Sequence, residues 1–223
     1  MARPVLAVGG IALIAVGAAI GFGGWWPSTS TAEEYRRPIQ RIDTVSIDIG
    51  SGDVRIRVGN VGTATIHQRF TYRGSHPGQD AFVIDGTRLR LQGCGDDCTV
   101  DYDVVVPVGT TVTGQAGSGD ISTTGLAATD VSTRSGDVHV TDAGGPITAH
   151  AGSGDVTVDL ATPQDVRADT GSGDVKVTVP PDRYRIQVDT GSGDRNIEIA
   201  SDAAGAHLLD LRAGSGDVSL SPA

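Results

Sequence analysis

Beyond residue 40 hydrophobic and polar side chains alternate, and the alternation restarts at one recurring tetrapeptide. Gly-Ser-Gly-Asp or a near copy occurs seven times, ending at Asp53, Asp120, Asp137, Asp155, Asp174, Asp194 and Asp217. Successive spacings are 67, 17, 18, 19, 20 and 23 residues. Counting from each Asp, positions −8, −6 and −4 are small or apolar. Examples are Val45, Ile47, Ile49, then Ile147, Ala149, Ala151, and finally Leu209, Leu211, Ala213. Positions +1, +3 and +5 continue the face, as in Val54, Ile56, Val58 and Val175, Val177, Val179. A period of two with one apolar face predicts half-buried strands, two per copy. Inward threonines such as Thr170 and Thr190 need a hydrogen-bond partner inside.

The tetrapeptide itself reads as a turn. Its two glycines permit positive φ on either side of Ser, the second being Gly52, Gly119, Gly136, Gly154, Gly173, Gly193 or Gly216, and the Asp carboxylate is expected to accept an N–H in its own bend. The opposite bends vary: PVGT at 107–110, AGGP at 143–146, TPQD at 162–165 and PPDR at 180–183. Near-identical strand–turn–strand units with a period of 18–20 residues predict an all-β parallel β-solenoid, coils stacked about 4.8 Å apart. The alternative is an antiparallel β-sandwich built of hairpins around the same turns. Residues 61–106 interrupt the repeat with strands at 64–72 and 99–106, a hairpin about Asp85-Gly86, and four aromatics, Phe70, Tyr72, Phe82 and Tyr102. This bulkier block is read as the cap on one end of the stack, with the carboxyl-terminal GSGDVSLSPA left uncapped.

The pattern is different at the amino terminus. Val5–Trp26 carries no charge, and as a helix its 22 residues would span about 33 Å, the thickness of a bilayer's hydrocarbon. Arg3 precedes it, Glu33 and Glu34 follow it, and Trp25-Trp26 sit where interfacial aromatics belong. The reading is a cytoplasmic stub and transmembrane helix (1–26, span 5–26), a polar linker (27–40) and an extracytoplasmic repeat domain (41–223). A cleaved signal peptide is the alternative. Cys94 and Cys98, in GCGDDCT, then fall in an oxidising compartment and read as a local disulfide.

Composition narrows the function. The chain has 32 glycines, only 4% aromatics, and a net charge of −10. Its acids are 24 Asp and 3 Glu, its bases 16 Arg and one Lys scattered among aspartates, which excludes a phosphate-binding stripe and so nucleic acid. The two Asp-Thr-Gly-Ser segments, at Asp169 and Asp189, look like the paired signatures of aspartic proteases but lie 20 residues apart inside the repeat. Asp120, Asp137, Asp155, Asp174 and Asp194 are calcium candidates of the β-roll kind, although the period is twice that of the nonapeptide roll. Outward Asp101, Asp103 and Asp169 with Arg167 and Arg185 are the set a glycan-active surface would use. His67, His76, His139, His150 and His207 show no ligand spacing and are expected at the surface.

With its apolar amino terminus and its SGDV/SGDI strands, fullest in VPVGTTVTGQAGSGDI and VPPDRYRIQVDTGSGD, the chain resembles the bacterial "putative adhesin" β-strand-repeat family over about residues 40–220. That resemblance implies a membrane-anchored envelope protein with a β-solenoid fold, no catalytic residue and no cofactor. The expectation is a non-catalytic cell-surface structural or binding module. Its partners would be the membrane and a cell-wall polymer or another envelope protein. An accessory or sensor role in envelope-stress signalling is the alternative, with a calcium β-roll or a glycan-active enzyme behind it.

Overall fold

The computed structural model describes residues 29–223 except 78 and 79, so the expected membrane helix lies outside the described residues. Among the described residues no helix is long and apolar enough to cross a membrane. The regular structure is all strand. The amino-terminal part holds β1 (Thr29–Arg36), β2 (Thr44–Ser51), β3 (Val54–Val58), β4 (Thr65–Arg73), β5 (Phe82–Asp85), β6 (Arg88–Gln92) and β7 (Cys98–Val106). The repeats follow as β8 (Thr111–Ser118), β9 (Ile121–Thr124), β10 (Ala128–Ser135), β11 (Val138–Thr141), β12 (Ile147–Ser153) and β13 (Val156–Asp159). The chain closes with β14 (Val166–Ser172), β15 (Val175–Val179), β16 (Tyr184–Ser192), β17 (Arg195–Ile197), β18 (His207–Ser215) and β19 (Val218–Pro222).

These strands form two sheets. One runs β1-β4-β7-β3-β9-β11-β13-β15-β19-β17 and the other β16-β18-β14-β12-β10-β8-β2-β6-β5. Each Gly-Ser-Gly-Asp turn carries the chain from the second sheet to the first. Equivalent strands pair in parallel and in register, with Ser51, Ser118, Ser135 and Ser153 in line. Parallel pairing of equivalent strands is the stacked-coil arrangement, and it rules out the hairpin sandwich. The core between the sheets is the predicted inward set, with Val45, Ile56, Ile121, Val156, Ala168, Leu211 and Val218 all buried. Two inward threonines are satisfied across coils: Thr133 Oγ1 donates to the Gly119 carbonyl (3.0 Å) and Thr170 Oγ1 to that of Gly154 (2.7 Å), whereas the buried hydroxyls of Thr123 and Thr129 have no hydrogen-bond partner among the described residues.

Three features depart from the expected layout. First, residues 29–36, placed in the linker by their polarity, form edge strand β1, antiparallel to β4. Period-two burial is weak there, because an edge strand buries little. Second, the stack is not in chain order. β18 lies between β14 and β16, and β19 between β15 and β17. The carboxyl-terminal coil is therefore interior, and the uncapped end is the coil of β16 and β17. Third, that coil is the poorly buried one: Ile186, Val188, Ile197 and Ile199 are only partly covered. Loop 198–206 folds back over part of it, with the Asp202 N–H donating to the Tyr184 carbonyl (2.8 Å) and the Ile186 N–H to Ser201 Oγ (3.1 Å).

At the other end, β4 lies antiparallel on β7, and β5 antiparallel on β6. The bulky residues gather here. Phe70 and Tyr102 are buried, and the Tyr102 hydroxyl lies against the carbonyls of Ala81 and Gln92. Burial pushes its ionisation well above the usual phenol range. Buried Gln68 accepts the Ala81 N–H at Oε1 (2.9 Å).

Candidate binding surfaces

The turns build a column along one corner of the stack. Of the two glycines expected to need positive φ, only the second of each turn adopts it, from +120° at Gly52 to +144° at Gly193. A Cβ on Gly154 would overlap the Gly136 carbonyl oxygen, so glycine is required by the close approach of adjacent coils as well as by φ. The Asp carboxylates do not cap their own bends as expected. Each except Asp194 accepts the backbone N–H of the Asp in the next coil. The Asp174 N–H donates to Oδ1 of Asp155, and the Asp217 N–H to Oδ1 of Asp174, both at 2.8 Å. Parallel stacking leaves that N–H facing the neighbouring coil rather than its own turn. The column runs Asp101, Asp53, Asp120, Asp137, Asp155, Asp174, Asp217, Asp194. Its order confirms that the coil of Asp194 comes last; no described coil stacks beyond it.

The five calcium candidates therefore stand in one line, each of the first four using Oδ1 for the stack. Among the described residues no group of three or more His, Cys, Asp or Glu is arranged to hold a metal ion. The two Asp-Thr-Gly-Ser aspartates do not meet. Arg212 of β18 stands between Asp169 and Asp189 in register. Asp169 contacts the His150 ring and Asp189 the Arg195 guanidinium. The glycan-active set is split as well, because Asp101 and Asp103 lie on β7 of one sheet and Asp169, Arg167 and Arg185 on the other. Cys94 and Cys98 are bridged, with 5.5 Å between their Cα atoms, and so close the loop before β7. His67 is half-buried and stacked on Tyr35, with ring centroids 4.1 Å apart.

What remains is two flat outer faces. On the first sheet Ser122, His139, Thr157, Lys176 and Ser219 align across five strands. Beside them run Thr124, Thr141, Asp159, Thr178 and Ser221. On the second sheet a shallow groove is lined by Asp48, Gln115, Ser132, Arg134 and His150, with Gly50, Gly117 and Gly152 as its floor. Such faces offer regularly spaced hydroxyls and charges over several coils, which suits contact with an extended partner.

Arg195 is the residue that sequence reasoning passed over. It occupies the +1 position held by Val or Ile in the other six copies. A charged residue at this inward position is tolerable only where no coil packs beyond it, and here Arg195 is exposed, its guanidinium reaching Asp189 (3.0 Å). The wide spacing of 23 residues before Asp217 carries the same message, since the chain must cross back over a coil.

No curated protein matches the chain. Among solved structures, a "putative cell adhesion protein" of Clostridium sporogenes superposes with a TM-score of 0.54 at 13% identity. That match covers 87% of this chain and 100% of the other. A "putative adhesin" of Bacteroides fragilis gives a TM-score of 0.49 at 10% identity, over 90% and 100% of the two chains. The first likeness supports the fold. A family profile matches residues 38–221, nearly the whole repeat domain, and the chain belongs to the Toastrack DUF4097 family.

Proposed function

We propose that the protein is a non-catalytic, adhesin-like envelope module, held in the membrane by Val5–Trp26 with its repeat domain outside the cell. The observation that carries this reading is the in-register alignment of outward polar side chains into continuous faces across five or more strands. A face of this kind distributes binding over many weak contacts instead of concentrating it in a pocket. The disulfide fits an oxidising compartment. The likeness to a protein described as a "putative cell adhesion protein" points the same way. The partner proposed is an extended envelope polymer.

The test is a sedimentation assay of the full chain in detergent with purified cell-wall material. Binding is expected, and it should weaken when Lys176 and Thr178 on the first face are both replaced by Glu. Wild-type protein left wholly in the supernatant would overturn the reading.

A further inference from the structure

The large exposed hydrophobic residues of the described chain all fall toward one end of the stack. They are Tyr35 (49% exposed), Ile39 (84%), Val83 (50%) and Val108 (71%). Tyr35 is on β1 and Val83 on β5, the last strands of the two sheets at the capped end. Ile39 lies in the link between β1 and β2. The same link carries Arg41, whose Nη2 donates to the Val108 carbonyl (3.3 Å). The repeat coils beyond residue 110 contribute none of these residues.

Charge divides along the same line. Residues 29–110 hold nine arginines against eleven carboxylates, while residues 111–223 hold seven cations against sixteen carboxylates. The capped part is thus nearly neutral and the rest strongly acidic. Arg37, Arg88 and Arg90 are exposed near the apolar residues and form no ion pair among the described residues. Asp85, Asp96 and Asp97 lie in the same part, so the attraction is local rather than a general positive charge. The chain also enters the domain at this end: β1 starts at Thr29, three residues after the apolar run ends at Trp26.

From these observations we infer that the capped end is a membrane-contact face. Ile39 and Val108 insert at the headgroup boundary, Arg37, Arg88 and Arg90 meet anionic headgroups, and the acidic coils project away from the bilayer. Scattered exposed hydrophobics need no explanation, but four confined to one end together with unpaired arginines make an amphipathic patch of interfacial character. At a leaflet that carries anionic lipid, local cations are attracted and the acidic coils repelled, so both terms favour one orientation. The inference rests in part on the anchor reading, which supplies the tether that keeps this end near the bilayer.

The experiment uses the full chain reconstituted in phosphatidylcholine–phosphatidylglycerol vesicles. The two native cysteines are bridged, so a single introduced thiol takes the fluorophore. Ile39→Cys and Val108→Cys are compared with Lys176→Cys on a distal coil, and quenching by lipids bearing a nitroxide near the headgroup is measured. Several-fold stronger quenching at 39 and 108 than at 176 is expected. Adding Ile39→Asp to the Val108-labelled chain should abolish that excess without changing its far-ultraviolet circular dichroism. Equal quenching at all three positions would overturn the inference and leave a protein as the occupant of this face. Alkaline extraction of the unlabelled chain tests the anchor separately. If the chain is extracted, the anchor reading fails, while quenching of vesicle-bound chain still decides the contact.

Discussion

At the capped end the strands turn antiparallel and bring Phe70, Tyr102 and Gln68 over the core, whereas the last coil at the other end leaves Ile186, Val188, Ile197 and Ile199 half-exposed. An open edge of a parallel stack invites another strand to pair with it. The capped end answers with bulk and with the hydrogen-bonded Gln68 and Tyr102. The open end answers with Arg195 at the +1 position and with a loop whose Ser201 and Asp202 occupy edge groups of Ile186 and Tyr184. One end is closed by packing, and the other carries a charge and a partial cover. The lesson is that a stack of equivalent coils needs two different ends, and that the difference rests on a few residues.

The largest test of this contrast is a pair of truncations. Phe70→Ala empties a fully buried site and should cost about 3–5 kcal/mol. Ile197→Ala removes a side chain already half in water and should cost roughly 1 kcal/mol or less. Urea denaturation of both variants checks it, and equal costs would mean that the open end is covered in solution.

The Asp column gives a second contrast, of about 1 kcal/mol. Asp155→Ala leaves the Asp174 N–H without its acceptor, a loss of about 1 kcal/mol at an exposed turn. Asp194→Ala should cost almost nothing, because no described coil beyond it donates to its carboxylate. Asp155→Asn keeps the acceptor and removes one charge from a column of like charges, so it should match or exceed wild-type stability. Thermal denaturation of the three variants separates hydrogen bonding from charge. If Asp194→Ala proved as damaging as Asp155→Ala, a further partner would have to lie on the end coil.

Much of this was legible in the residues. The two-residue period fixed which side chains face inward, and the Gly-Ser-Gly-Asp spacing fixed where the chain turns, because both depend on local geometry alone. The order of the coils did not follow from the repeat, because copies with the same pattern can exchange places in a stack without changing any local rule. Arg195 broke the pattern at one position, and its consequence is global: that coil belongs at an end. Strand β1 was hidden for a different reason. An edge strand with a partly wet face has no apolar alternation to show, and Thr29–Arg36 looks as polar as a linker. The carboxylate column was misread because the acceptor's partner lies one coil away, a relation that no single turn contains.

Arg195 can also be tested by removal, with a smaller effect on stability. Arg195→Val restores the apolar +1 position and should leave stability within about 1 kcal/mol of wild type. What should change is association, since the open end loses the charge that keeps its edge apart from others. Light scattering across a concentration series should show wild-type monomers of the detergent-solubilised chain and variant dimers. Unchanged mass in the variant would place the protection in loop 198–206 alone.

The smallest effect lies at the capped end, on Glu34 of β1. Burial raises its carboxyl above the ordinary value of 4.5, Arg36 opposes the rise, and a hydrogen bond with Asp80 adds to it. Because the folded chain holds this proton more tightly than the unfolded one, the sign is fixed. Stability is lost as pH rises from 4.5 through the raised value and is not recovered above it. Glu34→Gln cannot ionise, so its stability relative to wild type should improve across that rise and level off by neutral pH. Denaturation midpoints of the two proteins at a series of pH values check this. A relative stability that falls with rising pH would show that the ion pair with Arg36 outweighs burial, and that the capped end, like the open one, is held by charge.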